Sequence, residues 1–167
     1  TRIYEGTNGI QALDLVGRKL TQMGGKPVDD YIAAARNTCA ALRGVKDADG
    51  HLATIETALG EGVDALEAAS SWLREAMARS YDDAAAGATS YLRMFGIVAG
   101  GYMLARSALA AQRSLDDGGD NTGFYRNKIL TARFFAEQSL PQAAALLGPV
   151  TRGATTLYAI EPELMGA

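Results

Sequence analysis

The stretch Leu52-Ala53-Thr54-Ile55-Glu56-Thr57-Ala58-Leu59-Gly60-Glu61-Gly62-Val63-Asp64-Ala65-Leu66 decides the fold. Leucines stand at 52, 59, 66 and 73, and Val63, Ser70 and Met77 fall between or after them, so the inward positions recur in alternating steps of four and three. Residues at those steps share one face of an α-helix, and a sustained repeat of this kind is the seam of helices packed on one another. A long helix is therefore expected after the polar connection 45–50.

The same spacing extends outward in both directions. Upstream, Pro27 suits the first turn of a helix and Asp29 and Asp30 complement its dipole; Val28, Ile32, Ala35, Cys39 and Leu42 follow on one face until Gly44. Before it, a first helix is expected over about 8–22, with Ile10, Leu13, Val16 or Gly17, and Leu20 inward, ended by Gly24-Gly25. Downstream, Tyr81-Asp82-Asp83 restarts the chain into a fourth helix reaching about Leu115, with Tyr91, Phe95, Val98, Tyr102, Ala105 and Leu109 inward. Gly96, Gly100 and Gly101 each cost up to about 1 kcal/mol against alanine in a helix interior, so they predict close helix approach. After the loop 116–121, Asn121 or Thr122 caps a fifth helix carrying Tyr125, Ile129, Ala132, Ala136, Leu140, Ala143 and Leu147, which Pro141 is expected to bend or break. No strand pattern occurs. The fold expected is all-α: an up-down four-helix bundle preceded by one extra helix.

Composition fits this and excludes other classes. The chain has 167 residues, 48% apolar and 21% charged, enough for a sizeable core. Its net charge of −3, with basic residues scattered rather than clustered, gives no footprint for nucleic acid. The uncharged run 94–105, bracketed by Arg93 and Arg106, is shorter than the ~20 residues that cross a bilayer, so no membrane span is expected. One cysteine, Cys39, on an apolar stripe, fits a structural thiol in a reducing compartment, and a cytoplasmic location is expected. Residues 1–11 lack the basic leader and apolar core of a signal peptide. With no initiator methionine, the chain is expected to be a fragment of a longer protein. Its only histidine, His51, has no second ligand at metal spacing and is expected as a solvent-exposed cap.

Chemistry concentrates in Ile3-Tyr4-Glu5-Gly6-Thr7-Asn8-Gly9-Ile10-Gln11. Glycines at 6 and 9 allow the backbone to approach a ligand, Thr7 and Asn8 offer capping oxygens, and Glu5 stands just outside a helix N-terminus, where the dipole favours an anion. Tyr4-Glu5-Gly6-Thr7, continued by Asn8-Gly9-Ile10-Gln11-Ala12 and Asp14-Leu15-Val16-Gly17-Arg18-Lys19, resembles the start of the last helix in the catalytic domain of the flavin-dependent acyl-CoA dehydrogenases. Thr122-Gly123-Phe124-Tyr125 through Thr131-Ala132-Arg133-Phe134-Phe135 resembles the additional C-terminal helical domain of the larger members.

The resemblance implies a division into 1–24, the last segment of the catalytic domain, and 25–167, the C-terminal bundle. It implies that Glu5 is the base that takes the α-proton of an acyl-CoA while hydride passes to FAD, giving a trans-2-enoyl-CoA. Gly6 would lie against substrate, and Thr7, Asn8 and Gly9 against FAD. At 9 this chain departs from the many members with a glutamine or glutamate there, so only a backbone contact carries over. An electron-transfer flavoprotein as electron acceptor and a homodimer or higher homo-oligomer are further implied. The isolated chain, holding one edge of the cofactor, is expected to be inactive. A second apolar stripe of Leu130, Phe134 and Phe135 on the fifth helix is expected to meet another domain or a twofold-related copy in the intact protein, and the contrasting expectation for the chain is a non-catalytic helical interaction or oligomerisation module.

Overall fold

The leucine repeat falls on one helix face, as its spacing requires. The structure is a computed structural model describing residues 6–161, and every regular element among them is helical. These are α1 (Thr7–Asp14), α2 (Lys26–Arg43), α3 (His51–Arg79), α4 (Tyr81–Asp116), α5 (Thr122–Gln138), and three short helices, α6 (Pro141–Ala145), α7 (Leu147–Thr151) and α8 (Thr155–Tyr158). Leu52, Leu59, Val63, Leu66, Ser70 and Leu73 are buried on α3, and all five predicted inward residues of α2 are buried with them.

Cross-helix contacts fix the directions. On α2, Asp29 pairs with Arg74, Arg36 with Asp64 and Glu67, and Arg43 with Glu56, so α2 runs antiparallel to α3. Between α3 and α4 the Ser70 hydroxyl donates to Leu66 O and receives the Tyr91 hydroxyl at 2.7 Å, both side chains buried. Only Ser80, in extended backbone, separates α3 from α4, and its hydroxyl accepts from Asp83 N. Next, α5 turns back along α4, capped by the Asn121 side chain, and Pro141 does break it, opening α6. The α3–α4 pair forms the centre; α2 and the α5–α7 run each pack on both of its members and make no extensive contact with each other.

Helix α4, 36 residues long, meets the length and apolarity of a bilayer span, which the dozen uncharged residues between Arg93 and Arg106 did not suggest. Its apolar surface has a different use here: α1, α2, α3, α5, α6 and α7 all pack on it. Glycines on α3 and α4 face the α5–α7 run. Side-chain atoms of Leu140 lie 2.7 Å from where a Cβ on Gly101 would stand and 3.3 Å from one on Gly62, so this leucine occupies a notch cut into both central helices. Phe135 covers Gly100 at 3.1 Å, which removes it from the free apolar stripe expected on α5; Phe134 and Leu130 remain exposed. Gly96 faces open space, contrary to the close approach expected there, while Gly87, not singled out from sequence, lies against the carbonyl of Val150.

These contacts predict opposite outcomes for one substitution. At Gly87 an added Cβ would run into Val150 O, backbone that cannot swing aside, so Gly87→Ala should destabilise by about 1–3 kcal/mol, whereas Gly96→Ala should stabilise by up to about 1 kcal/mol. Urea denaturation of the two variants checks this. Burial pushes the Tyr91 phenol up to about 12, opposed by a smaller pull from Ser70. Its native pKa lies above its unfolded value near 10, so the unfolded chain loses this proton first. The stabilisation is complete below pH 10 and declines as pH rises from there through 12. Absorbance titration at 295 nm should find one tyrosine ionising last, and earlier in Ser70-intact protein than in Ser70→Ala.

Candidate functional site

The glycine-flanked string enters α1 at its N-terminus. Gly6 is the residue before the helix, at φ 77°, a left-handed conformation in which an L side chain would be strained. Its carbonyl accepts from Gly9 N at 3.0 Å and Ile10 N at 3.3 Å. Thr7 and Asn8 thus lie inside the first turn, and Gly6, in its left-handed conformation, occupies the position just before the helix. Glu5 lies outside the described residues. Gly6, Thr7, Asn8 and Gly9 are all exposed, and among the described residues no other part of the fold comes within 4 Å of where a Cβ on Gly6 or Gly9 would be. The four residues expected at substrate and cofactor are therefore together on an open surface.

Helix α1 and the turn that follows it bury Ala12, Val16 and Leu20, spaced by four, while Ile10 is 65% and Leu13 41% exposed, although both were expected inward. The shift has a local cause. Leu15–Lys19 is a π-helical turn in which Leu20 N reaches Leu15 O at 2.8 Å, and one extra residue in a turn rotates everything before it relative to everything after. Arg18 grips Asp14 through two hydrogen bonds, at 2.7 and 2.9 Å, and Lys19 adds a third contact at 3.2 Å. The Arg18 guanidinium, with Lys19 behind it, holds the Asp14 carboxyl below the usual carboxylate range.

What fastens this segment to the bundle was not visible in the sequence. After Gln22 the chain takes three left-handed residues in succession, Met23, Gly24 and Gly25, at φ 51°, 70° and 89°. Arg74, from the far end of α3, reaches into that turn: its Nη2 donates to Gly25 O at 3.2 Å and Asp29 Oδ1 at 2.7 Å, and its Nε to Leu20 O at 3.4 Å. Gly25 has neither the angle nor the room for a side chain, since a Cβ there would stand 2.6 Å from the guanidinium carbon.

The remaining candidates resolve differently. Cys39 is buried and burial pushes its thiol up, so it is a packing residue rather than a nucleophile. His51 is not the exposed cap expected of it: Asp47 caps α3 by accepting from His51 N and Ala53 N, and the imidazole is half-buried against α5. Arg133 Nη1 lies 2.7 Å from His51 Nδ1. Among the described residues no cluster of three or more metal-ligating side chains occurs.

Arg74→Ala should lower stability by about 1–2 kcal/mol, since the lost bonds are charge-assisted yet half-exposed, and should make residues 15–30 the first site of limited proteolysis. Peptide mapping after brief digestion reads the second effect directly.

Residues 27–161 match the family described as acetyl-CoA dehydrogenase C-terminal like. The chain is 37% identical over 144 residues to 3-methylmercaptopropionyl-CoA dehydrogenase of Ruegeria pomeroyi, covering 86% of this chain and 24% of that protein. It is 28% identical over 150 residues to a broad-specificity linear acyl-CoA dehydrogenase of Mycobacterium tuberculosis, covering 83% and 23%, and 30% identical over 142 residues to butyryl-CoA dehydrogenase of Syntrophomonas wolfei, covering 83% and 22%. It spans about a quarter of the length of these curated relatives. With an all-α bundle matched over all but its ends, the chain belongs to the acyl-CoA dehydrogenase C-terminal family.

Proposed function

We propose that this chain serves in an acyl-CoA dehydrogenase, with residues 1–24 completing the catalytic domain and 25–167 forming the appended bundle. The observation that carries the reading is the string Tyr4-Glu5-Gly6-Thr7 running into the left-handed Gly6 and the open first turn of α1, in a chain whose bundle belongs to this family. Glu5 takes the α-proton of the acyl-CoA; a carboxylate suits this because water expelled by substrate leaves it a stronger base. Gly6 lets the thioester lie close to the backbone.

The residues present fit one edge of FAD: Gly9 opens onto free space, and the first turn of α1 brings backbone amides with the short side chains of Thr7 and Asn8. Bound there, FAD supplies the hydride acceptor, and an electron-transfer flavoprotein takes the electrons onward. A few such contacts do not offset the entropy lost on association, so the chain alone neither holds FAD nor turns over, and the rest of the site comes from sequence beyond it. The enzyme works in the cytoplasm as a homodimer or larger homo-oligomer.

A second reading, a non-catalytic assembly module, draws on the exposed Ile10, Leu13, Phe124 and Phe134. One experiment separates the two. In the longer protein that carries this chain, Glu5→Gln should leave fold, flavin content and acyl-CoA binding near normal while slowing flavin bleaching by about 10²–10⁴-fold. Undiminished bleaching would place the base elsewhere, and no bleaching in the unmutated protein would favour the module.

A further inference from the structure

Away from α1, the α2–α3 connection, the C-terminal turn of α4 and the first two turns of α5 enclose a cleft of about 520 Å³, within the range that holds small molecules. It lies at the His51 end of α3, 23 residues and so about 35 Å from the Arg74 clasp. Leu115, Ile129 and Leu130 give it an apolar wall, and Lys46, His51 and Arg126 also line it.

Three features distinguish this lining from an ordinary charged surface. Among the described residues neither Lys46 nor Arg126 has an ionic or hydrogen-bonded partner. Three carboxylates share the lining with these two cations: Asp47 directs both oxygens to the amides of His51 and Ala53, Asp116 accepts from Gln112, and only Asp49 has no hydrogen-bond partner among the described residues. The imidazole is also set. A guanidinium can only donate, so Arg133 at 2.7 Å makes His51 Nδ1 the acceptor and leaves the ring proton on Nε2. Arg133 is itself held by Glu137 at 2.8 Å and is not part of the cleft lining, so His51 is oriented from behind with a donor nitrogen left over.

We propose that this cleft binds an amphipathic oxyanion, a carboxylate or phosphate head carrying a short apolar body. Lys46, Arg126 and His51 Nε2–H take the head, and Leu115, Ile129 and Leu130 take the body. It is a site separate from the α1 segment and independent of whether Glu5 acts as a base.

The test uses the 167-residue chain and its single histidine, whose ring Cε1–H gives one resolved NMR signal. Titration with octanoate and with octyl phosphate should shift that signal saturably, and the tighter of the two identifies the head group; acetate and inorganic phosphate, lacking the body, should bind at least tenfold more weakly. Lys46→Gln with Arg126→Gln, both at exposed positions, should weaken binding at least tenfold with the circular dichroism unchanged, and Asp49→Asn should tighten it several-fold. Octanol binding as well as octanoate would overturn the proposal, as would no saturable shift with either anion, undiminished binding in the double variant, or weaker binding in Asp49→Asn.

Discussion

The architecture depends on side chains that are not there. A helix can lie close on two others only if their facing surfaces are cut back, and Gly62, Gly100 and Gly101 provide that recess for Leu140 and Phe135, while Gly87 admits the backbone of α7. Without this approach the α5–α7 run would stand off the central pair and leave Val98, Ala143 and Val150, all buried, facing water. The glycines weaken α3 and α4 as helices and strengthen the bundle as a whole, a trade that tertiary packing decides.

Much of this was legible. The alternating spacing on α2 and α3 named the buried residues because those helices are regular and pack on one side, and Pro141 marked a break because its ring cannot continue a helix. The misreadings share a cause: each depends on backbone or neighbours that periodicity does not encode. Ile10 and Leu13 were expected inward because an unbroken helix was assumed, and the π turn at Leu15–Lys19 alters the phase. Gly96 and Gly87 look alike in sequence, yet only one of them meets another helix. His51 carries no sign of Arg133, which is 82 residues away. At the candidate site, Gly6 was legible as a special backbone position, and the family resemblance drew attention to the string around it; the role of Arg74 had no local signal.

The segment with the catalytic resemblance and the bundle are joined in an instructive way. Ala12, Val16 and Leu20 give α1 and the π turn after it a modest apolar footing, but the turn that follows is held by polar contacts from one arginine to two carbonyls and a carboxylate. Carbonyls at the end of a helix must find donors somewhere, and here they come from α3 rather than from water. The angle at which α1 leaves the bundle is thereby set by directional bonds, which define orientation more sharply than apolar packing does. Ile10 and Leu13 project from the opposite side of that short helix, so the exposed surface beside Gly6–Gly9 is apolar as well as open.

The bond from Ala154 N to Asp83 Oδ1, at 2.8 Å, spans 71 residues of chain, and with the Gly87–Val150 approach it brings the last helical turns back to the beginning of α4. The most extensive interfaces, α2 on α3, α3 on α4 and α4 on α5, join helices that follow one another in sequence and can zip from the connecting turn. Loop-closure entropy grows with the length enclosed, so the antiparallel pairs can assemble early and locally, whereas docking of α7 on the start of α4 must wait until the intervening helices are aligned. During synthesis the face of α4 around Gly87 therefore goes without this cover until Val150 and Ala154 have left the ribosome.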